Sequence, residues 1–176
     1  MSIGYWVMSI GNLVFSNVCL IMEKEITSQQ LNLPPIQPRI KQSDNKDFIF
    51  DSIRKIWVSL TPEEWVRQHL INYLTTEMNY PASLMKVEKG IKQLSGTKRT
   101  DIVVFDKKAK PLMIIECKSY NVELTQETIN QAANYNVNLN APYLLISNGL
   151  KHITFFLDFQ NNKISQLQSI PDYNII

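Results

Sequence analysis

The fold is decided by residues 99–118, which read Arg99-Thr-Asp-Ile-Val-Val-Phe-Asp106, then Lys107-Lys-Ala-Lys-Pro111, then Leu112-Met-Ile-Ile-Glu-Cys-Lys118. The outer parts are rich in Ile and Val, whereas the middle part is polar and ends in proline. This pattern predicts two apolar strands joined by a tight turn. Three charged residues interrupt the apolar runs: Asp101, Glu116 and Lys118.

The expected register brings the two acids together. If the turn is centred between Lys108 and Ala109, the opposed pairs are Asp101 with Glu116, Val103 with Ile114, and Phe105 with Leu112. Lys118 follows Glu116 by two residues and therefore shares its face. The other face carries only apolar residues and a cysteine: Ile102, Val104, Met113, Ile115 and Cys117. Both faces are mostly apolar, which is typical of central strands that are covered on both sides.

Two opposed carboxylates repel, so one takes up a proton or a cation lies between them. Oxygen ligands favour Mg²⁺ or Mn²⁺. A lysine beside that cation could stabilise negative charge that develops during a reaction. A register slip of one residue would move one acid to the opposite face and remove the site.

Composition places the chain among ordinary globular domains. It has 176 residues, 44% hydrophobic and 19% charged, with a formal net charge of +2. Bulk charge therefore does not indicate a nucleic-acid partner. Residues 82–110 hold eight basic and three acidic side chains, a local excess that suits phosphates. A strand edge protected by lysines explains the same excess equally well.

The N-terminal region is expected to lie outside the core. Residues 1–21 are apolar but lack Lys and Arg and are interrupted by Gly, Ser and Asn, so they suit neither a signal peptide nor a membrane span. Met22 opens a second start, and we expect residues 1–21 to derive from an upstream start codon; a membrane anchor is the less favoured interpretation. Residues 27–47 contain three prolines and predict an extended arm. The predicted division is 1–47 outside the core and 48–176 as a single domain.

Two helices are predicted from their start signals. Thr61 is a candidate N-cap, Pro62 suits the first helical position, and Glu64 falls at the capping-box position, with the helix running to about Asn79. A second helix is expected over 124–139 with Thr125 as N-cap. Strands are predicted at 48–50, 53–60, 83–94, 99–105, 112–118, 143–146, 152–159 and 163–167. This order predicts one α/β domain with a central mixed sheet flanked by helices.

The spacing of Asp101 and Glu116-Cys-Lys118 resembles the Asp…(Asp/Glu)-x-Lys signature of the PD-(D/E)xK restriction-endonuclease-like nuclease superfamily. The predicted α-β-β-β-α-β order is that of the superfamily's core. Gln131-Ala-Ala-Asn-Tyr135 is similar to the Gln-x-x-x-Tyr motif of RecB-like nucleases.

A closer resemblance is to the type I restriction enzyme R protein N-terminal domain family, in its short stand-alone form. The similar blocks, in order, are Leu60-Thr-Pro-Glu-Glu-Trp-Val-Arg-Gln68, Arg99-Thr-Asp-Ile-Val-Val104, Glu116-Cys-Lys118, Gln131-Ala-Ala-Asn-Tyr-Asn136 and Ser147-Asn-Gly-Leu150. The resemblance covers roughly 48–159. Two departures stand out: Thr100 replaces the signature proline, and no Gly-x-x-x-x-Gly-Lys-(Ser/Thr) motor motif occurs.

The resemblance implies cleavage of DNA phosphodiester bonds that depends on Mg²⁺, with Mn²⁺ as an alternative. It implies that Asp101 and Glu116 hold the metal and that Glu64 completes the shell, with Glu63 as the fallback. Lys118 would position the attacking water or stabilise the developing charge.

The resemblance also implies that Gln131 and Tyr135 orient the site or the DNA. Candidate DNA contacts are Lys98, Arg99 and Arg67; an intrahelical pair between Arg67 and Glu63 or Glu64 is the bland alternative. Expected partners are DNA and a second copy or other restriction or repair subunits. No membrane partner is expected, and the expected location is the cytoplasm.

Two competing interpretations stay open. One is a non-catalytic DNA-binding or scaffold protein that keeps the nuclease fold, although the intact Asp, Glu and Lys set argues against a lapsed nuclease. The other is a structural α/β protein in which Asp101 pairs with Lys118. That arrangement would leave Glu116 buried without a partner, which is costly.

Overall fold

The computed structural model describes residues 29–93, 96–137 and 139–176. This part of the chain forms two sheets and two α-helices, with short 3-10 turns at Ala82–Leu84 and Tyr173–Ile175. The elements in chain order are β1 (Ile40–Ser43), β2 (Lys46–Asp51), β3 (Ile56–Ser59), α1 (Pro62–Thr76), β4 (Met85–Gln93), β5 (Gly96–Phe105), β6 (Pro111–Cys117), α2 (Gln126–Asn136), β7 (Tyr143–Ser147), β8 (His152–Asp158) and β9 (Lys163–Leu167). The run from α1 through β4, β5, β6 and α2 to β7 confirms the predicted α-β-β-β-α-β order.

The larger sheet has the strand order β4-β5-β6-β7-β8-β9. Strands β6 and β7 are parallel, and the other neighbouring pairs in this sheet are antiparallel. A parallel pair needs a crossover, and α2 lies in that connection. The predicted central mixed sheet is therefore confirmed.

The β5–β6 hairpin has the predicted register over its inner part. Its pairs are Ile102 with Ile115, Val103 with Ile114, and Val104 with Met113. The prediction that Phe105 faces Leu112 is wrong, because an irregularity after Val104 pairs Phe105 with Pro111 instead. The shift lies next to the turn, where the Asp106 side chain accepts hydrogen bonds from the backbone N–H groups of Lys108 and Lys110, both at 2.8 Å.

The central strands are covered on both faces, as predicted. On one face, Leu70, Ile71 and Leu74 of α1 share a core with residues from the middle strands: Ile102, Val104, Met113, Ile115 and Leu145. On the other face, Ala132 of α2 shares a second core with Ile114, Leu124, Leu144 and Ile146. Strand alternation explains why consecutive residues of β6 enter different cores.

Helix α1 begins as predicted and ends earlier than predicted. The Thr61 side chain accepts a hydrogen bond from the backbone N–H of Glu64 at 3.1 Å, which confirms the N-cap. The helix ends at Thr76 and not at Asn79. Asn79 has a φ of 59°, which ends helical geometry, and the Tyr80 N–H turns back to the Leu74 carbonyl at 2.9 Å. In α2, Thr125 likewise caps the first turn, as predicted.

The smaller sheet has the order β1-β2-β3 and was only partly predicted. Strand β1 falls within the segment predicted as an extended arm. The predicted strand over 53–60 is shorter, because residues 52–55 form a turn. The Asp51 carboxylate holds this turn by accepting from the backbone N–H groups of Ile53 and Arg54, at 2.8 and 2.7 Å.

The described part of the predicted arm packs on the domain. Leu31 is buried with Ile49, Trp65 and Val66. Gly149 has a φ of 80°, and a side chain there would meet Leu31 at 2.8 Å, so glycine is needed for this close approach. Residues 29–47 are therefore not separate from the fold, whereas the predictions for residues 1–28 lie outside the described residues.

Neither helix in the described ranges has the length and apolar content that crossing a membrane requires.

Candidate functional site

The strand acids meet at one end of the β5–β6 pair. Asp101 and Glu116 are the next residues outward from the Ile102–Ile115 pair, so continuing that register places them opposite each other. Glu116 also pairs with Ile146 of the parallel strand β7. The Asp101 Oδ2 atom accepts a hydrogen bond from the backbone N–H of Cys117 at 2.6 Å. The two acids are thus fixed by neighbouring strands rather than by flexible loops.

Lys118 completes the arrangement just beyond the end of β6. Its backbone N–H bonds the Ser147 carbonyl at 2.8 Å, which holds the residue against β7. Its Nζ atom donates to Glu116 Oε1 at 2.7 Å. The lysine therefore pairs with one of the two Glu116 carboxylate oxygens and does not bond the second, Oε2.

Glu116 is the most constrained acid of the group. It is 6% exposed, and its Oε2 atom is buried with no hydrogen-bond partner in the structure. Burial raises the pKa of Glu116, and the neighbouring Asp101 charge raises it further, although the hydrogen bond from Lys118 acts in the opposite direction. Leaving a buried acceptor unsatisfied costs about 1–3 kcal/mol, so this oxygen is the candidate donor to a bound group.

The Lys118 ammonium is held charged by its surroundings. Burial lowers the pKa of Lys118, but the hydrogen bond to Glu116 and the charges of Asp101 and Glu63 outweigh burial and raise it overall. A charged ammonium beside a carboxylate pair can stabilise negative charge on a bound group.

A second group of charges centres on Arg67 of α1, which is 3% exposed. One guanidinium nitrogen, Nη2, donates to Glu63 Oε1 at 2.9 Å and to Asp101 Oδ1 at 2.8 Å. The other terminal nitrogen, Nη1, donates to Glu64 Oε2. Arg67 therefore ties helix α1 to strand β5 at the end of the sheet where Glu116 lies.

The two consecutive glutamates of α1 have different environments. The Glu64 side chain is 6% exposed and receives donors from Arg67, Arg54 and Gln68. The Glu63 side chain is 44% exposed and bonds Arg67. Burial raises the pKa of Glu63, and the Asp101 charge raises it further, while Arg67 and Lys118 lower it. Glu63 therefore interacts electrostatically with the strand acid Asp101, whereas the Glu64 carboxylate is paired with Arg54 and Arg67.

The structure brings some predicted site residues together and separates others. Asp101, Glu116 and Lys118 form one group. Glu64 joins them only through Arg67. Gln131 is exposed on α2, and the described contacts include no hydrogen bond from it to that group.

Three predicted residues have side chains outside the described part of the structure. Tyr135 lies in α2, and Lys98 and Arg99 lie in β5. The prediction that Arg67 contacts DNA needs correction. Its guanidinium is buried and bound to three carboxylates. The structure therefore has the alternative arrangement, pairing of Arg67 with Glu63 and Glu64 within the helix, and adds an ion pair with Asp101.

Two members of the network were missed from the sequence. The Cys117 backbone N–H anchors Asp101, and local patterns carry no signal for a bond that depends on strand register. Arg54 bonds Asp51 at 2.7 Å and Glu64 at 3.4 Å, linking the small sheet to α1. The sequence signal for Arg54 was its position three residues after Asp51 in a short polar segment.

The fit of a divalent cation can be judged from the donors present. Within 29–93, 96–137 and 139–176, no three His, Cys, Asp or Glu side chains are arranged as a group that could hold a metal ion. Asp101 and Glu116 lie on adjacent strands, just beyond the Ile102–Ile115 pair, and interact electrostatically, and Glu116 Oε2 is a buried oxygen with no hydrogen-bond partner. Carboxylate oxygens are the donors that Mg²⁺ and Mn²⁺ prefer, so the residues fit a cation of this kind.

Comparison with known proteins gives one family. The model of the type I restriction enzyme R protein N terminus matches residues 62–171, which is more than half of the chain. The match includes α1, the β5–β6 hairpin and α2. No curated protein matches the chain.

A solved structure is also similar. It is a fragment of a protein described as an HsdR subunit of a type I restriction enzyme from Vibrio vulnificus YJ016, with 17% identity and a TM-score of 0.46. The alignment covers 62% of this chain and 23% of that chain, so the match spans less than a quarter of the neighbour.

Proposed function

This chain belongs to the type I restriction enzyme R protein N-terminus family, and from that premise we propose that it is a metal-dependent DNA endonuclease domain that hydrolyses phosphodiester bonds. The observation that carries the proposal is the Glu116 carboxylate. It is buried opposite Asp101, its Oε1 atom bonds the Lys118 ammonium at 2.7 Å, and its Oε2 atom has no partner. Buried acceptors without a partner are rare in folded proteins, and a bound ion is one of the explanations for them.

Asp101 and Glu116 are the residues that we propose hold the cation, Mg²⁺ or alternatively Mn²⁺. When bound, such an ion eases deprotonation of the attacking water and neutralises phosphate charge. For the helix carboxylate we propose Glu63 instead of Glu64. Glu63 bonds the same guanidinium nitrogen as Asp101 and is 44% exposed, so it can turn toward a ligand. Glu64 is enclosed by Arg54, Arg67 and Gln68.

Lys118 has the role of stabilising charge at the scissile phosphate. Its ammonium lies beside Glu116 and is 24% exposed as a side chain, so one side can face solvent or substrate. Arg67 acts as a positioning residue, because it holds Asp101 and Glu63 without being accessible itself. Gln131, Tyr135, Lys98 and Arg99 stay proposed contacts for the site or the DNA.

One observation favours a second candidate, a DNA-binding or scaffold protein that does not cut. Both Asp101 oxygens already have donors, Arg67 on one and the Cys117 N–H on the other. A cation at Asp101 would therefore compete with the Arg67 guanidinium or use a second lone pair. The two candidates differ in whether bound DNA is cleaved.

The test is nicking of supercoiled plasmid by the purified protein in Mg²⁺, in Mn²⁺ and in EDTA. We expect nicking with either cation and none in EDTA. Lys118→Ala should lower the rate by about 10²- to 10³-fold, the usual loss when one charge-stabilising donor is removed. Lys107→Ala, an exposed lysine in the hairpin turn, is the matched control and should cut like the wild type.

Stability must be measured beside activity. Equal melting temperatures for wild type and Lys118→Ala would assign the lost activity to chemistry. If the wild type is as inert as Lys118→Ala on plasmid, branched and single-stranded DNA, the nuclease proposal fails and the scaffold candidate takes its place.

A further inference from the structure

The outer face of the small sheet carries both aromatic and basic side chains. The register pairs Lys41 with Phe48 and Phe50 with Trp57, so these four residues share one face. Arg39, two residues before Lys41, joins them through its contact with Phe50. We call this set of five residues the aromatic face. The opposite face of the sheet is buried in the core through Ile49 and Val58.

The contacts on the aromatic face are between cations and rings. The Arg39 guanidinium carbon lies 4.1 Å from the centre of the Phe50 ring and 5.6 Å from that of Trp57. The Lys41 ammonium lies 4.8 Å from the Trp57 ring and 5.8 Å from the Phe48 ring. Arg39 and Lys41 are exposed, and the three rings are partly exposed. Because both cations are already in contact with solvent, each can move away from its ring without a change in the burial of its charge.

Within the strands, the charge on this face has one sign, and the adjoining turn adds one acid, Asp44, which accepts from the Ser43 hydroxyl at 3.4 Å. Residues of β1, β2 and β3 that share the face, besides the aromatic face itself, are Ser43, Lys46 and Ser59. The acids of the same strands point the other way: Asp47 accepts from Gln42, and Asp51 is buried against Arg54. Three cations on one partly aromatic face match a ligand that has both anionic groups and flat rings.

We propose that the aromatic face binds single-stranded nucleic acid, with bases stacking on Trp57 and Phe50 and phosphates on Arg39, Lys41 and Lys46. A base replaces the cation that now covers each ring, and the released cation moves to the adjacent phosphate. Aromatic stacking and a basic groove are the two elements that single-strand binding needs. A duplex keeps its bases stacked inside and uses only the cations, so it binds this face more weakly.

The aromatic face is joined to the candidate active site through a chain of ion pairs. Phe50 precedes Asp51, Asp51 bonds Arg54, and Arg54 bonds Glu64 of α1. A strand bound on the face is thus held on an element fixed to the helix of the site. The choice of DNA as the probe rests on the proposed function, but binding here needs neither Asp101, Glu116 nor Lys118.

The competing explanation is that the cation–ring contacts only stabilise the small sheet. Such contacts are attractive, so their removal would lower stability without changing the affinity for nucleic acid. Binding and stability must therefore be measured on the same variants.

The experiment is fluorescence anisotropy of labelled 15-nucleotide oligo(dT), oligo(rU) and a duplex, in EDTA so that cleavage cannot interfere. We expect oligo(dT) to bind more tightly than the duplex. Trp57→Ala should weaken that binding at least about fivefold, whereas Trp57→Phe keeps a stacking ring and most of the affinity. Phe159→Ala, at another exposed ring that is 53% exposed, is the matched control and should bind like the wild type.

A second variant guards against loss of folding. The double variant Arg39→Gln, Lys41→Gln changes two exposed side chains. It should lower the magnitude of the slope of log K against log[salt] by about 0.7 for each cation removed. Equal affinity of the wild type, Trp57→Ala and Phe159→Ala for oligo(dT) would overturn the proposal, as would tighter binding of the duplex. Equal binding of oligo(rU) would support it and extend the ligand to both nucleic acids.

The outcomes separate this inference from the proposed function. Plasmid nicking without single-strand binding would overturn the inference and leave the nuclease proposal standing. Single-strand binding that depends on Trp57, without nicking, would do the reverse.

Discussion

Two groups of carboxylates lie at the same end of the molecule, and they differ in how completely they are paired. Glu64 on α1 is buried and surrounded by Arg54, Arg67 and Gln68. Glu116 on β6 is equally buried, yet one of its oxygens has no partner. A buried charge with a full set of donors contributes to a fixed structure, whereas a buried charge with an unpartnered oxygen lowers the stability of the fold.

The difference teaches which acids belong to the framework and which to the site. Arg67 lies at the boundary, because the same guanidinium closes the Glu64 group and holds Asp101 of the open group. The framework on the helix thus orients the acids on the strands. Variants on the two sides should therefore have opposite effects on stability and activity.

The largest expected effect follows from removing Arg67. Arg67→Ala leaves Glu64 buried without its closest cation, and we expect a loss of about 3–5 kcal/mol in the free energy of unfolding. Urea denaturation followed by circular dichroism measures it, with the exposed Lys107→Ala as control. A loss below about 1 kcal/mol, the range of an exposed ion pair, would mean that the Arg67 group is not the framework described here.

The next largest effect should distinguish the two neighbouring glutamates of α1, Glu63 and Glu64. Glu63→Gln should keep the melting temperature of the wild type and lower the plasmid-nicking rate at least about tenfold, the usual effect of weakening a metal's surroundings. Glu64→Gln should lower the melting temperature, because a neutral amide cannot balance Arg54 and Arg67. The reverse pattern, with Glu64→Gln stable and inactive, would return the metal role to Glu64.

A smaller effect of opposite sign is expected at the open acid. Glu116→Gln removes a desolvated charge beside Asp101. We expect the metal-free variant to gain about 1 kcal/mol in unfolding free energy at pH 7 while losing nicking activity. A destabilised Glu116→Gln in EDTA would show that the Lys118 pair outweighs the open oxygen.

The smallest effect is the pH dependence of that gain. Burial and the Asp101 charge raise the pKa of Glu116 above its ordinary value of 4.5, so between pH 4.5 and the raised pKa the folded protein holds a proton that the unfolded chain has released. The stability of the wild type should therefore fall, relative to Glu116→Gln, as the pH rises from 4.5 through the raised pKa. Thermal melts in EDTA between pH 4 and 7 measure the difference. A constant difference across this range would contradict the raised pKa.

Much of the framework was predictable from local patterns. The Thr61 cap, the two apolar strands and the Ile102–Ile115 register follow from residue types and alternation over short distances. The predicted Phe105–Leu112 pairing was wrong because the register shifts beside the turn. The turn is shaped by hydrogen bonds from backbone N–H groups to the Asp106 side chain, which strand alternation does not predict. Strand β1 was missed because Ile-Lys-Gln-Ser has little apolar alternation and follows three prolines.

The candidate site was predictable in its residue types and in the strand register of its two acids, but not in the partners of its side chains. The capping position of Glu64 fixed its backbone role but not the partners of its side chain, since Arg54 and Arg67 reach it through the tertiary fold. Arg67 looked accessible to DNA because helix periodicity does not reveal that Asp101, 34 residues away, accepts its bond. The open oxygen of Glu116 follows from burial and packing, which a sequence pattern cannot supply.

The most direct test of the central claim is calorimetric titration of Mn²⁺ into the metal-free protein and into Glu116→Gln. The account predicts a binding event in the wild type that disappears in Glu116→Gln and persists in the Lys107→Ala control. Identical titrations for the wild type and Glu116→Gln would contradict it, because the open oxygen would then have no part in holding a cation.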